Sequence, residues 1–174
     1  MKKTILIFIL IIVVYIVAGN IFSEKIIIPK EAIRIRVVAN SNSDYDQYIK
    51  KEVKTILTKD IMNMFDVNDN IDTFRYKLSS NVNTFKENIN EVLLKNNYEL
   101  PFDINYGFNY FPQKTFKGIK YDEGYYESLV VTIGNGLGDN WWCVLFPPLC
   151  LIEAEEYSVV EYTTLVGELI NKYF

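Results

Sequence analysis

The segment Gly134–Cys150, GNGLGDNWWCVLFPPLC, limits the possible folds of this chain more than any other. Its 17 residues hold three of the eight glycines, both tryptophans, both cysteines and two of the five prolines. Glycine admits backbone shapes closed to other residues, and proline stops a strand by removing a donor. The pattern reads as a glycine-rich turn that delivers the chain into a buried strand at Val144 to Phe146 and leaves it at Pro147-Pro148. The spacing Gly134-x-Gly136-x-Gly138 is not a nucleotide loop. A P-loop continues with Gly-Lys-Ser/Thr, and a dinucleotide fingerprint opens a helix. Here Asp139-Asn140-Trp141 follows, so a turn between strands fits.

The first residues set location. Met1-Lys2-Lys3 is basic, and Ile5 to Ala18 is an unbroken apolar run of 14 residues. Val17 and Gly19 suit the −3 and −1 sites of a signal peptidase, which gives a secretory signal peptide cleaved before Asn20. The rival is an uncleaved anchor: a helix from Ile5 to Phe22 is roughly 27 Å long, just short of a ~30 Å hydrocarbon core. Either way the lysines stay inside and the rest lies outside the cytoplasmic membrane. Membrane contact is then expected only through this segment, if it is uncleaved. With no Cys at the end of the run, a lipoprotein anchor is excluded. The expected organisation is residues 1–19 as signal or anchor, 20–32 as linker, and 33–174 as one domain, long enough to build a core.

Residues 20–120 carry 15 basic and 13 acidic groups, whereas residues 121–174 carry nine acidic groups against Lys172 alone. There is no basic stripe, and the sequence pI is about 5.0, so nucleic acid is not an expected partner. The acidic third reads as a solvated face or as a surface for a basic partner.

Histidine is absent, which removes Ser-His-Asp and Cys-His catalysis and His-ligated zinc. Asp122, Glu123, Glu127 and Asp139 leave a carboxylate pair as the remaining hydrolytic option, but carboxylates at this density are usually surface groups. An enzyme is therefore not expected, and neither is a cofactor or metal. Cys143 and Cys150 are a disulfide candidate in an exported chain. Closing that loop stabilises by roughly 2–3 kcal/mol in the chain-entropy model. The alternative is two buried thiols, and an extended strand at Val144 to Phe146 would hold the two Cα atoms too far apart to bridge.

Ile33, Ile35 and Val37 alternate with Arg34, Arg36 and Val38, the period of a half-buried strand from Ile33 to Ala39. Ser43 is an N-cap, with Asp44 and Asp46 in the first turn of a helix running to about Phe65. Its apolar stripe is Ile49, Val53, Ile56, Leu57, Ile61, Met64 and Phe65, with Lys50, Lys51, Lys54 and Lys59 off it. A second helix is expected over Ile71 to Asn96. Strands follow at Phe102 to Phe111, where Gly107 suggests a bulge or close contact, at Tyr125 to Ile133, and at Trp142 to Phe146. Gly118 to Gly124 reads as a loop, and residues 158–172 as a last helix. The order β-α-α-β-β-β-α describes an α+β domain, its helices grouped on a mostly antiparallel sheet.

Two stretches carry a resemblance. IRIRVVANSNSDYDQYIKKEV, from Ile33 to Val53, and YYESLVVTIGNGLGDNWWCVLFPPLC, from Tyr125 to Cys150, follow a basic-apolar export segment in that order. Together they resemble the stage II sporulation protein R family of endospore-forming Firmicutes, whose strand opens R-V-x-A-N-S. The resemblance implies a secreted signal made in the forespore. It would act in the space between forespore and mother cell, or remain anchored to the forespore membrane facing that space. Its partner would be a membrane-embedded aspartic-type protease of the mother-cell membrane, which removes the pro-sequence from the sigma-E precursor. The chain would be a protein ligand rather than an enzyme.

Asn140, Trp141 and Trp142 are the expected partner contacts, because exposed tryptophan often dominates interface energy. The tryptophan that shares a face with Val144 and Phe146 is expected in the core. Arg34 and Arg36 are further candidates, with structural ion pairs on the sheet as their plainer role. The alternative function is an exported envelope module that binds peptidoglycan or another glycan on an aromatic platform. A carboxylate-based wall hydrolase comes last.

Overall fold

A computed structural model describes residues 5, 7, 9–13, 28–116, 119–149 and 167–173. The first strand, β1 (Ile33–Val38), leads through Ser43 into α1 (Asp44–Met64). The Ser43 side chain accepts from the Asp46 N–H at 3.2 Å, satisfying a donor that has no partner inside the helix. Ile49, Val53, Leu57 and Ile61 recur every fourth residue and are buried. Lys50 is buried too, contrary to the expectation that it lies off the packed face.

The expected single helix over residues 71–96 is two: α2 (Ile71–Ser80) and α3 (Val82–Lys95). Asn81 leaves the helical region at ψ 2°, and its side-chain amide donates to Lys77 O at 2.8 Å. Such local side-chain hydrogen bonding competes with helix continuation. The apolar spacing survives the break, so Phe74 and Leu78 of α2 and Phe85, Ile89 and Leu93 of α3 all reach one core.

The strands β2 (Phe102–Phe111), β5 (Gly124–Ile133) and β6 (Asn140–Phe146) join β1 in a four-stranded sheet of order β2-β5-β1-β6. The β2–β5 and β1–β6 pairs are antiparallel, as expected, while the central β1–β5 pair is parallel. A parallel pair needs a long crossover, and three helices and β2 provide it. β2 and β5 stay in register across Gly107, which carries no bulge. The expected loop after Gly118 is half of a small ribbon, in which β3 (Lys114–Phe116) pairs with β4 (Ile119–Tyr121). This α+β arrangement puts α1, α2 and α3 on one face of the sheet.

On that face Ile33, Ile35, Val37, Leu129, Val131 and Ile133 pack against the helices' stripes. Each such fully buried side chain contributes about 1.5–3 kcal/mol relative to exposure. On the opposite face, Ile28, Ala32, Val144 and Leu149 form a second cluster, with Tyr121, Leu169 and Ile170 against it. Residues 167–173 are helical, while most of the expected last helix, 158–166, lies outside the described residues. The proposed cleavage site also lies outside them. No helix among the described residues is long and apolar enough to cross a membrane.

Candidate functional site: a cationic, aromatic pocket beside two interlocked loops

The loop after β1 and the turn before β6 are one structural unit. Asn40 Oδ1 accepts from the Asn135 N–H at 3.0 Å, Asn40 O from Leu137 N–H at 3.0 Å, and Ala39 O from Gly138 N–H at 2.9 Å. Asn42 Oδ1 accepts from Asp139 N–H at 2.6 Å. Gly134 and Gly136 have φ of +56° and +64°, where side chains are strained. At Gly138 the constraint is space, since a Cβ there would lie 2.2 Å from Ser41 O.

Below this contact the Asp46 carboxylate accepts from Ser41 Oγ at 2.5 Å, Tyr98 OH at 2.6 Å and Asn40 Nδ2 at 2.9 Å. Burial alone would raise its pKa, but these donors outweigh burial and hold it at about 2. Tyr98 is pushed upward by burial and by the Asp46 charge. Lys50 Nζ donates to Asp139 O at 2.9 Å, which explains its burial. Both motifs singled out in the sequence thus meet, and they deliver Asn140 to the start of β6.

Strand β6 then alternates. Trp142 stands opposite Arg36 and Val144 opposite Arg34, on the face away from the helices, while Trp141 stands opposite Val37. A register shift at Ile33/Arg34 puts Phe146 opposite Ile33 on the helix face. Val144 and Phe146 therefore do not share a face, contrary to expectation. Trp141 is the tryptophan packed against the main core, with Lys54 Nζ 4.8 Å from its ring centre. Trp142 packs edge-on against Phe111 at 5.2 Å on the other side.

Between Trp142 and the ribbon lies a cavity of about 180 Å³. Arg34, Phe111, Lys114, Tyr121 and Trp142 line it, with Asn140, Trp141 and Cys143 along the strand. Arg34 is 2% exposed. Its guanidinium carbon sits 3.3 Å from the centre of the Tyr126 ring, 5.5 Å from that of Phe111 and 5.8 Å from that of Tyr121. None of its three nitrogens has a hydrogen-bond partner among the described residues. The Tyr126 hydroxyl instead donates to Asp122 O at 2.9 Å. Burial lowers the Arg34 pKa, although an arginine keeps its charge. Lys114 Nζ lies 4.9 Å from the Trp142 ring centre.

Of the candidate residues, Arg34, Asn140 and Trp142 converge here, whereas the Trp141 side chain turns to the helix face. Arg36 is half-buried, 5.0 Å from the Phe111 ring centre, with one long contact of 3.5 Å to Tyr110 O. Among the described residues neither arginine pairs with a carboxylate, so the expected ion pairs are absent there. Phe111, Lys114, Tyr121 and Tyr126 were not legible as site residues. Three of them come from strand ends or the ribbon, where no periodicity marks a face.

Three of the four carboxylates considered for hydrolysis are engaged separately. Glu127 accepts from Arg75 Nε at 2.8 Å and from Tyr106 OH, Asp122 pairs with Lys120 at 2.6 Å, and Glu123 accepts from Tyr110 OH at 3.4 Å. Among the described residues no cluster of three His, Cys, Asp or Glu is placed to hold a metal. Cys143 is disulfide-bonded although β6 is a strand through Phe146, so the expectation that an extended Val144 to Phe146 forbids the bridge does not hold; the only other cysteine in the sequence, Cys150, lies outside the described residues.

A family model described as stage II sporulation protein R matches residues 29–156. The stage II sporulation protein R of Bacillus subtilis (strain 168) is 33% identical over 139 residues, a match covering 80% of this chain and 62% of that protein. The chain thus spans less than two thirds of that relative's length. No solved structure matches.

Proposed function

The chain belongs to the stage II sporulation protein R family, and from that premise we propose that it is an exported sporulation signal. In this reading it leaves the forespore through its N-terminal segment, as a cleaved signal or an anchor. It then activates a membrane-embedded aspartic-type protease of the mother-cell membrane, and that protease shortens the sigma-E precursor. The chain acts as a protein ligand and performs no chemistry itself.

One observation carries the reading. The family match over residues 29–156 takes in both interlocked loops and every described residue that lines the pocket. The pocket face supports a contact role, because a partly exposed tryptophan beside unpaired cationic donors is the composition of an interface anchor. The test is co-expression of the protease, the sigma-factor precursor and this chain in a non-sporulating host, with precursor length read by blot. Shortening that needs both protease and chain supports the proposal. Absence of shortening, with both proteins confirmed in place, rejects direct activation and makes sacculus binding the next assay.

A further inference from the structure

We propose that the cavity over Arg34 is a binding site for a carboxylate borne on an acidic polypeptide segment. This deepens the signalling reading by naming the chemistry the partner presents, and rests on that reading only for who the partner is.

The unusual group is the Arg34 guanidinium, 2% exposed and without a hydrogen-bond partner among the described residues. A buried cation is normally paired and its donors satisfied. The faces of Tyr126, Phe111 and Tyr121 attract its charge, but they do not satisfy its N–H groups. A guanidinium offers a planar fork that a carboxylate matches with two parallel hydrogen bonds. Among the described residues, the wall of the cavity that Arg34 lines has no acidic side chain, and a second cation, exposed Lys114, stands at its edge. Asn140 adds an amide.

The rest of the wall selects what carries the anion. Phe111, Tyr121 and Trp142 make an apolar sleeve, which strengthens an ion pair by excluding water and suits a carboxylate on a hydrocarbon stem. Two sources supply such a group: a partner protein, or this chain's own Glu153, Glu155, Glu156 and Glu161.

Benzoate is the probe, benzamide its neutral counterpart and inorganic phosphate the generic anion. Each is titrated into the full ¹⁵N-arginine-labelled chain in mild detergent, and the Arg34 Nε–H resonance is followed. Two backgrounds are compared, the natural sequence and one with Glu153→Gln, Glu155→Gln, Glu156→Gln and Glu161→Gln. A saturable benzoate shift, with benzamide and phosphate weaker by about tenfold or more, supports the proposal. Arg34→Lys, which keeps charge but loses the fork, then weakens benzoate by about tenfold, and Lys114→Gln by a few-fold. A response in both backgrounds points to a partner's carboxylate, and a response only after the glutamate replacements points to the chain's own segment. No response in either background, or equal responses to benzoate and benzamide or to benzoate and phosphate, overturns the proposal. Precursor processing is not read here, so a failure of this site and a failure of the signalling reading are separable.

Discussion

The Arg34 guanidinium sits over the Tyr126 ring, its central carbon 3.3 Å from the ring centre, on a strand whose other face is the hydrophobic core. Strand β1 therefore does two jobs at once. Ile33, Ile35 and Val37 hold the sheet to its helices, and Arg34 presents a buried charge to the pocket.

Replacing Arg34 by Met keeps the volume and removes an unsatisfied buried charge. Such replacements are often neutral or stabilising. Arg34→Met is expected to leave the melting temperature unchanged or raise it by a few degrees, checked by circular dichroism. A loss of more than about 2 kcal/mol would show that the cation is structural.

The two tryptophans should separate stability from signalling. Trp141 packs on the main core, so Trp141→Ala is expected to cost about 3 kcal/mol or more in denaturant unfolding. Trp142 closes the pocket on the other face, and Trp142→Ala should cost less while lowering precursor processing. Equal stability losses would contradict the opposed faces.

Both faces follow from particular residues, and only part was legible in advance. Alternation in Ile33–Val38 marked the strand, and Ser43 with Asp44 and Asp46 marked the helix start, because those patterns are local. The break at Asn81 was hidden, since the apolar spacing runs through it. The parallel pairing of β1 with β5 was hidden too, because period-2 alternation shows that a strand has two faces and not which strand lies beside it. The register shift at Ile33/Arg34 separated Val144 from Phe146, and thereby reversed which tryptophan meets the core. The pocket was only half visible because the three-residue strands of the ribbon that bounds it are too short to show a period.

The glycines of the turn are predicted to differ sharply from Gly107. A Cβ at Gly138 would meet backbone at 2.2 Å, and Gly138→Ala is expected to cost about 2 kcal/mol or more and to loosen the Asn40–Asn135 contact. At Gly107 the nearest atom is Asn105 Oδ1 at 4.0 Å, so Gly107→Ala should be neutral or slightly stabilising. Chemical denaturation of both variants reads the contrast.

Acid stability should report on Asp46. Its folded pKa of about 2 lies below the unfolded value of ~3.9. The carboxylate therefore contributes stability that is present above the unfolded value and lost as pH falls through the folded one. The unfolding free energy is expected to drop between about pH 4 and pH 2, and Asp46→Asn to be less stable at pH 7 with a flatter acid limb. An unchanged limb would contradict the network through Ser41, Tyr98 and Asn40.

Processing of the sigma-factor precursor in a non-sporulating host, with natural chain and Arg34→Met run side by side, tests the central claim most directly. The account predicts protease-dependent shortening with the natural chain, and a loss of at least about tenfold with Arg34→Met at equal folded, exported protein. Full processing by Arg34→Met would contradict the pocket as the contact. No processing by the natural chain, with every component in place, would contradict direct activation.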